Sequence, residues 1–464
     1  MAAGAPRLPH LVDTPALFAE GSLTATELLR DALNRIDRHE RALNAFITVD
    51  SEGARTQAEE SDARRSIGRV RGPLDGCVIA LKESIDVRGL SASEGSKVLR
   101  GRKAAIDAPV VSRLRQAGAV LIGKTHMHEF GLGATGENPH IGDSRNPWNR
   151  HRVSGGSSSG SAIAVAAGFA QAALGTDGGG SVRGPAAFCG VVGFKPTHGR
   201  IEVAGSGSVC GTLSDVGTLT VTVRDAALLL DACVASRFSG ASEHVLSSPS
   251  RPRIVVPEGY FFHHLAPDVA RVLAASTAAL PDLGWDVTRM EWPDTELALT
   301  ADAVGWTLLS AEAAASHEDW LLTQPDDYGP DVRNRLELGR GLLATEYLRA
   351  QRLRRMLQVE FGRVFAEADI VITPACPTTA FSHGTATLDL GGGSLPAANA
   401  VNRCLRIANL LGWPAITVPC GLGDDGLPVA VQLMAAPGDD VRLLQAAQEF
   451  ESMLGRGPYY PSLS

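Results

Sequence analysis

The sequence predicts an α/β protein built on a large, mostly buried mixed β-sheet, and three observations carry that expectation. Short apolar runs of strand length alternate with segments of helical period along the chain. Several of the runs, Cys77–Leu81 among them, are continuously apolar, as strands covered on both faces are. The chain is 464 residues long with 44% hydrophobic and 20% charged residues, enough to bury a large core.

Each element has a local reason. Thr24 and Glu27 form a capping box, and Leu28, Leu29, Ala32, Leu33 and Ile36 recur at helical spacing, so a helix runs from Thr24 to about Arg38. A charged helix follows over Glu52–Ser66. Gly72-Pro73 breaks the chain before the strand Cys77–Leu81, which Lys82 closes. Pro109–Ala117 reads as helix and Ala119–Ile122 as strand. The Ala-rich run Ala162–Leu174 reads as one buried helix, too short to span a membrane, held between the Gly/Ser clusters Gly155–Ser161 and Gly178–Ser181. A loop and a strand lead to a helix over Val223–Ala235, and the polar stretch Ser236–Arg253 is a hinge or surface linker. Strands at Arg253–Glu258 and Trp285–Met290 flank a helix at Asp268–Ala279. Asp302–Phe365 is helical apart from a break at Gln324–Pro330. Ala368–Thr373 is a strand, Gly391–Ser394 a flexible turn, and Gly412 caps a helix before the apolar strand that ends near Gly421. Val429–Met434 and Asp439–Phe450 supply the last strand and helix.

Charge and cysteine usage narrow the function classes. A formal charge of −8 with no Lys/Arg stripe argues against a nucleic-acid partner. Arg349, Arg352, Arg354 and Arg355 read as a solvated or salt-bridged helix face. Seven scattered cysteines without a C-x-x-C pair are expected to be reduced, which suits the cytoplasm. The first residues lack an apolar signal core and no run of 18 apolar residues occurs, so the expectation is a cytoplasmic protein with no membrane partner.

The stretch Ser154–Arg200, SGGSSSGSAIAVAAGFAQAALGTDGGGSVRGPAAFCGVVGFKPTHGR, carries the chemistry. It is not a phosphate loop, because no Lys-Ser or Lys-Thr pair follows Gly160. Its glycines miss the spacing of a dinucleotide fingerprint. Nor is it a nucleophile elbow, since Arg183 stands where G-x-S-x-G needs its last glycine. Taken whole, GGSSSGSA followed by GTDGGGSVRGPAAFCGVVGFKPTHGR resembles the signature of the amidase-signature hydrolases. The resemblance covers the N-terminal half and the last hundred or so residues; about 235–365 carries no motif. It implies one large domain, a twisted mixed sheet covered by helices on both faces. Within 1–464 that gives N-terminal helices (1–70), a signature core (71–235), a variable helical middle (236–365) and a C-terminal part of the sheet (366–464).

The same resemblance implies a Ser–cis-Ser–Lys triad of Ser181 as nucleophile, Ser157 after a cis peptide bond, and Lys82 as base. It needs no cofactor and no metal. Gly178, Gly179, Gly180 and Ser181 are the expected oxyanion hole, where bare backbone lets N–H groups converge on developing charge. The family usually carries a larger residue, often Thr, at the position of Gly178, and Asp-Asn where Glu83-Ser84 stand here. Asp177 and Arg183 are read as a structural pair and Ser158 as loop support. His126, His128, His140 and His151 are set aside as metal ligands, because two residues apart on a loop is poor zinc geometry and no third ligand arrives at metal-site spacing.

The expected substrate wall is Leu132, Met127, Ile141, Trp413 and parts of the Val304–Leu343 helices. Its apolar character favours an aryl or alkyl amide, an anilide or a carbamate, cleaved by a monomer or homodimer. Two alternatives stand beside this reading. One is the glutaminase subunit of a tRNA-dependent amidotransferase; the other is an inactive relative serving as a binding or scaffold protein.

Overall fold

The computed structural model describes residues 8–207, 209–235, 240–245, 251–455 and 460–463. Its centre is one sheet of 11 strands. In chain order the strands of the described residues are β1 (Phe46–Val49), β2 (Val78–Lys82), β3 (Val120–Thr125), β4 (Ala172–Asp177), β5 (Val192–Lys195), β6 (Asp215–Thr220), β7 (Arg253–Glu258), β8 (Asp286–Glu291), β9 (Ile370–Pro374), β10 (Thr387–Leu390), β11 (Gly393–Pro396), β12 (Ala415–Leu422) and β13 (Pro428–Ala435), of which β10 and β11 form a separate hairpin. The order across the sheet is β1-β3-β2-β4-β6-β5-β12-β13-β9-β7-β8. β2 runs parallel to β3 and β4, and β7 runs parallel to β8 and β9; the remaining pairings are antiparallel. Strands from the N-terminal, signature, middle and C-terminal segments therefore share one sheet, and the protein is a single α/β domain with helices on both faces.

The strand period of two divides the core. Ile79 and Leu81 join the cluster built with the helices Pro109–Gln116, Val223–Cys233 and Asp440–Met453. Val78 and Ala80 face the other way, into the cluster of Ala25–Leu43 and Ser159–Ala166. Lys82 has the parity of Val78 and Ala80. It therefore closes β2 on the face that carries the Ser159–Ala166 helix, whose first turn lies within the first Gly/Ser cluster.

The long elements lie close to their expected places. The first is Ala25–Leu43, where Thr24 Oγ1 accepts from Glu27 N at 3.1 Å and a Glu27 carboxylate oxygen accepts from Thr24 N at 3.0 Å. One element needs correction. The run Ala162–Leu174 is not one helix: helix Ser159–Ala166 stops, Gly168 turns at φ 68°, and Ala172–Leu174 pair with β2 on one side and β6 on the other. Alanine serves in both states, and strand pairing decides here over helix propensity. The glycine turn falls where expected: Gly391 and Gly392 close the β10–β11 hairpin, with Gly393 and Ser394 already paired in β11. The polar linker contains a helix, Ala241–Val245, while 236–239 and 246–250 lie outside the described residues. The seven cysteines are free and buried, and among the described residues no helix is long and apolar enough to cross a membrane.

Candidate active site

Lys82 is fully buried at the end of β2, and its Nζ donates to Ser157 Oγ at 2.7 Å and to Thr176 Oγ1 at 2.6 Å. Burial pushes the Lys82 amine down to about 7, against the opposing pull of Asp177 and Glu94. Glu83, next in sequence, does not turn toward the lysine. Its Oε1 accepts from Ser91 Oγ, Ser93 N and Ser93 Oγ, and Lys124 Nζ lies 3.8 Å from its Oε2. Glutamate at this position therefore braces the 91–93 loop.

The Gly156–Ser157 peptide bond is cis. Ser158 N donates to Ser181 O at 3.1 Å, and Ser158 Oγ bonds both Thr176 O and Thr176 N, tying the two glycine loops to the end of β4. Asp177 then anchors the loop that carries Ser181. It accepts from Gly180 N at 2.7 Å and Val182 N at 3.1 Å, and it meets Arg183 in a bidentate pair with both contacts at 3.0 Å. Arg183 also donates to Leu405 O, Gln432 and Asn409, so its charge is spread over three elements. The pair, with Lys195 nearby, holds the Asp177 carboxyl far below the usual carboxylate range.

This geometry corrects one expected role. The Gly180 N–H is committed to Asp177, so it is not an oxyanion donor. Among the described residues Gly178, Gly179 and Ser181 carry no such commitment on their N–H groups. A Cβ on Gly178 would lie 2.9 Å from Ser214 Oγ, so the space the family usually gives to a larger residue is taken by Ser214.

Ser157, Thr176 and Ser181 open into one pocket with Met127, Leu132 and Phe130. Ile141 and Trp413, expected in the wall, are not there. Ile141 lies on a loop where its carbonyl accepts from Asn44, and Trp413 is in the core, stacked on Trp292 with ring centroids 6.3 Å apart. In their place stand Trp306, Arg335, Asn402 and Arg406. The Arg406 guanidinium lies 4.1 Å from the centre of the Trp306 ring and that of Arg335 lies 5.0 Å from it. Arg406 donates one Nη to Asp302, yet among the described residues its Nε is buried without a partner, as is Asn402 Oδ1. Burial pushes both guanidiniums down from their ordinary value. Trp306 and Arg335 fall in the helical segment the sequence pointed to; Thr176, Asn402 and Arg406 carried no motif.

His126 is a buried loop tie, bonding Ser159 Oγ at 3.0 Å and Gly142 O at 2.8 Å, and burial pushes it down to about 4. His140 bonds Glu129 at 2.8 Å. The metal-capable grouping among the described residues is a different one, Glu137, Asp143 and His383, in which Glu137 already accepts from Gly384 N.

Comparison with known proteins follows the same lines. The model of the amidase family matches residues 27–444. A curated relative from Symbiobacterium thermophilum, one of the subunits of glutamyl-tRNA(Gln) amidotransferase, is 37% identical over 97% of both chains. A protein of the same name from Roseiflexus castenholzii is 36% identical over 94% of both. Among solved structures, a vestigial protein complex bearing on the origins of an s-triazine catabolic enzyme aligns with TM-score 0.92 and 32% identity, covering 98% of this chain and 100% of that one. A 6-aminohexanoate cyclic dimer hydrolase bound to substrate aligns with TM-score 0.87 and 28% identity, covering 98% and 99%.

Proposed function

The chain belongs to the amidase family, and on that premise we propose that it is a Ser181-dependent hydrolase of the C–N bond in small amides that carry a carboxylate. The observation that carries the reading is the charge of the pocket. Two guanidiniums, Arg335 and Arg406, flank Trp306 at its wall, and among the described residues no carboxylate lines it; Asp302, behind the wall, pairs with one Nη of Arg406 and leaves its Nε unused. A buried guanidinium with an unpartnered Nε is stabilised by an anion in the fork geometry of a carboxylate. This supports an acidic amide over the neutral aryl or alkyl amides and carbamates that an apolar wall would favour.

The chemistry runs through Lys82. A serine hydroxyl is a weak nucleophile, and a lysine serves as its base only when neutral. With its amine brought down to about 7, Lys82 accepts a proton from Ser157 as Ser157 accepts one from Ser181. Ser181 Oγ bonds to the carbonyl carbon, and in this reading the uncommitted N–H groups of Gly178, Gly179 and Ser181 are the oxyanion donors, each donor worth about 3–4 kcal/mol. The C–N bond breaks as the proton returns through Ser157 to the leaving nitrogen. Water then cleaves the acyl-enzyme by the same relay and regenerates Ser181.

A second reading is favoured by the names of the curated relatives, which support it over any aryl-amide, anilide or carbamate activity. In it the chain is a glutaminase subunit working within an assembly. Glutamine is also a carboxylate-bearing amide, but its ammonium asks for an acidic partner that the lining lacks. Kinetics of the purified chain on succinamate, glutaramate, glutamine and acetanilide separate the readings. We expect kcat/KM for the acidic monoamides to exceed that for glutamine and for acetanilide by roughly tenfold or more, the scale of one unmet charge-assisted contact. A glutamine rate above glutaramate favours the glutaminase reading, and an anilide rate above both contradicts the role given to the arginines.

A further inference from the structure

We infer that a second cavity beside the catalytic pocket is the subsite for the departing amine, and that the preferred substrate is an N-substituted amide whose amine half is cationic. The inference rests on the proposed hydrolysis at Ser181 and adds the identity of the leaving group.

Size is the first argument. The space over Ser181 is about 50 Å³, whereas the adjoining cavity is about 510 Å³, so a compact acyl group fills the first and the bulk of a larger substrate must extend into the second. The two share Gly133, Ala134 and Arg335 as a common wall.

Direction is the second. On one side of the nucleophile, a Cβ at Gly179 would lie 3.7 Å from Arg406 Nε and one at Gly180 would lie 3.2 Å from Asn402 Oδ1, which puts the guanidinium wall beside the oxyanion loop. On the other side, a Cβ at Gly131 would lie 3.4 Å from Ser157 Oγ, and one at Gly156 would lie 3.0 Å from Gly133 O and Ala134 C. The leaving nitrogen must face the group that returns its proton, and in the relay that group is Ser157. The amine therefore departs over the 133–134 segment, the wall that opens into the larger cavity, while the acyl carboxylate faces Arg406.

Charge is the third. Glu137, Asp143 and Asp331 line the larger cavity against one cation, Arg335 at its inner wall; Glu137 accepts from Gly384 N and lies 3.6 Å from His383 Nδ1, and Asp143 accepts from Asn138 N, each through a single carboxylate oxygen. Glu129 also lines it but is satisfied by Ser96, His140 and Gly329. Asp331 is exposed and makes no ion pair among the described residues. His128, also in the lining, is 8% exposed with a partnerless Nδ1, and burial pushes it down to about 3, so it meets a ligand as a neutral ring. An ammonium fits these carboxylates; a second carboxylate does not.

The step balances without a further reactant. The Ser181 Oγ–C bond forms, the C–N bond breaks, nitrogen takes the relay proton and leaves as the amine, and solvent protonates it to the ammonium that the acidic cavity holds.

The test is a matched series on the full chain: succinamate, N-propylsuccinamate and N-(2-aminoethyl)succinamate, with N-propylacetamide and N-(2-aminoethyl)acetamide as a pair lacking the carboxylate. Wild type should prefer the aminoethyl over the propyl compound in kcat/KM by roughly tenfold in both pairs, the scale of a charge-assisted contact. In the double variant Asp331→Asn, Glu137→Gln that ratio should fall toward one. Equal rates for propyl and aminoethyl compounds in wild type would overturn the inference whatever the variant does. So would a ratio that survives both substitutions. Failure of the succinamates alone, with the acetamide pair still showing the preference, would instead count against the carboxylate reading above and leave the amine subsite standing.

Discussion

Both carboxylate oxygens of Asp177 are committed, to Gly180, Val182 and Arg183, and Arg183 is committed in turn to Leu405, Gln432 and Asn409. Beside this loop the pattern reverses: Arg406 Nε and Asn402 Oδ1 in the pocket, and His128 Nδ1 in the adjoining cavity, are buried with no partner among the described residues. A buried polar group left unmade costs about 1–3 kcal/mol, so a fold retains such groups where something else completes them. The comparison teaches how the work is divided. In the proposed function, the loop that carries Ser181 is fixed before substrate arrives, while the adjoining wall keeps its donors and acceptors for the ligand.

The sharpest break in that comparison is at the nucleophile itself. Ser181→Ala should lower turnover by a factor of about 10⁴ or more, because residues acting as one relay fail together. The melting temperature should stay near wild type, since one hydroxyl adds little to the core. Turnover close to wild type would move the nucleophile elsewhere.

Next comes the anchor. Arg183→Met leaves Asp177 buried and unpaired, so denaturant unfolding should show a loss of about 3–5 kcal/mol together with loss of activity. A stable, active variant would show that the loop does not depend on its ion pair. The facing wall should respond in the opposite manner. Trp306→Ala removes the ring between Arg335 and Arg406 and should raise KM by roughly tenfold with little change in kcat or stability, the range of a partly desolvated cation–π contact. A change confined to kcat would place Trp306 with the chemistry instead of with recognition.

The same division explains what could be read before the fold was seen. The residues of the proposed triad were legible because they are compressed into short segments: Lys82 ends an apolar run, and Ser157 and Ser181 sit in glycine clusters whose order fits one signature. The sheet was legible through its apolar runs, but Ala162–Leu174 was not, because alanine suits helix Ser159–Ala166 and strand β4 alike and long-range pairing decides. The recognition wall was hidden for another reason. Arg406 reaches Trp306 from a helix some hundred positions away, and Trp413 had every mark of a pocket residue yet stacks in the core. Gly180 departs from its expected role for a local reason: its N–H turns back to Asp177, which spacing alone does not reveal.

The central claim is that Lys82 works as a neutral base, and the rate of Ser181 labelling by a fluorophosphonate, followed from pH 5 to 9, tests it without any choice of substrate. Lys82 carries a proton below about 7 and cannot accept one, so labelling should rise as pH climbs through that value and level off above it. Lys82→Arg keeps the charge but cannot release its proton, so it should label at least about a hundredfold more slowly at every pH. A labelling rate that stays flat across this range, or an arginine variant within a few-fold of wild type, would show that Lys82 is a fixed charge and that the relay through Ser157 does not exist.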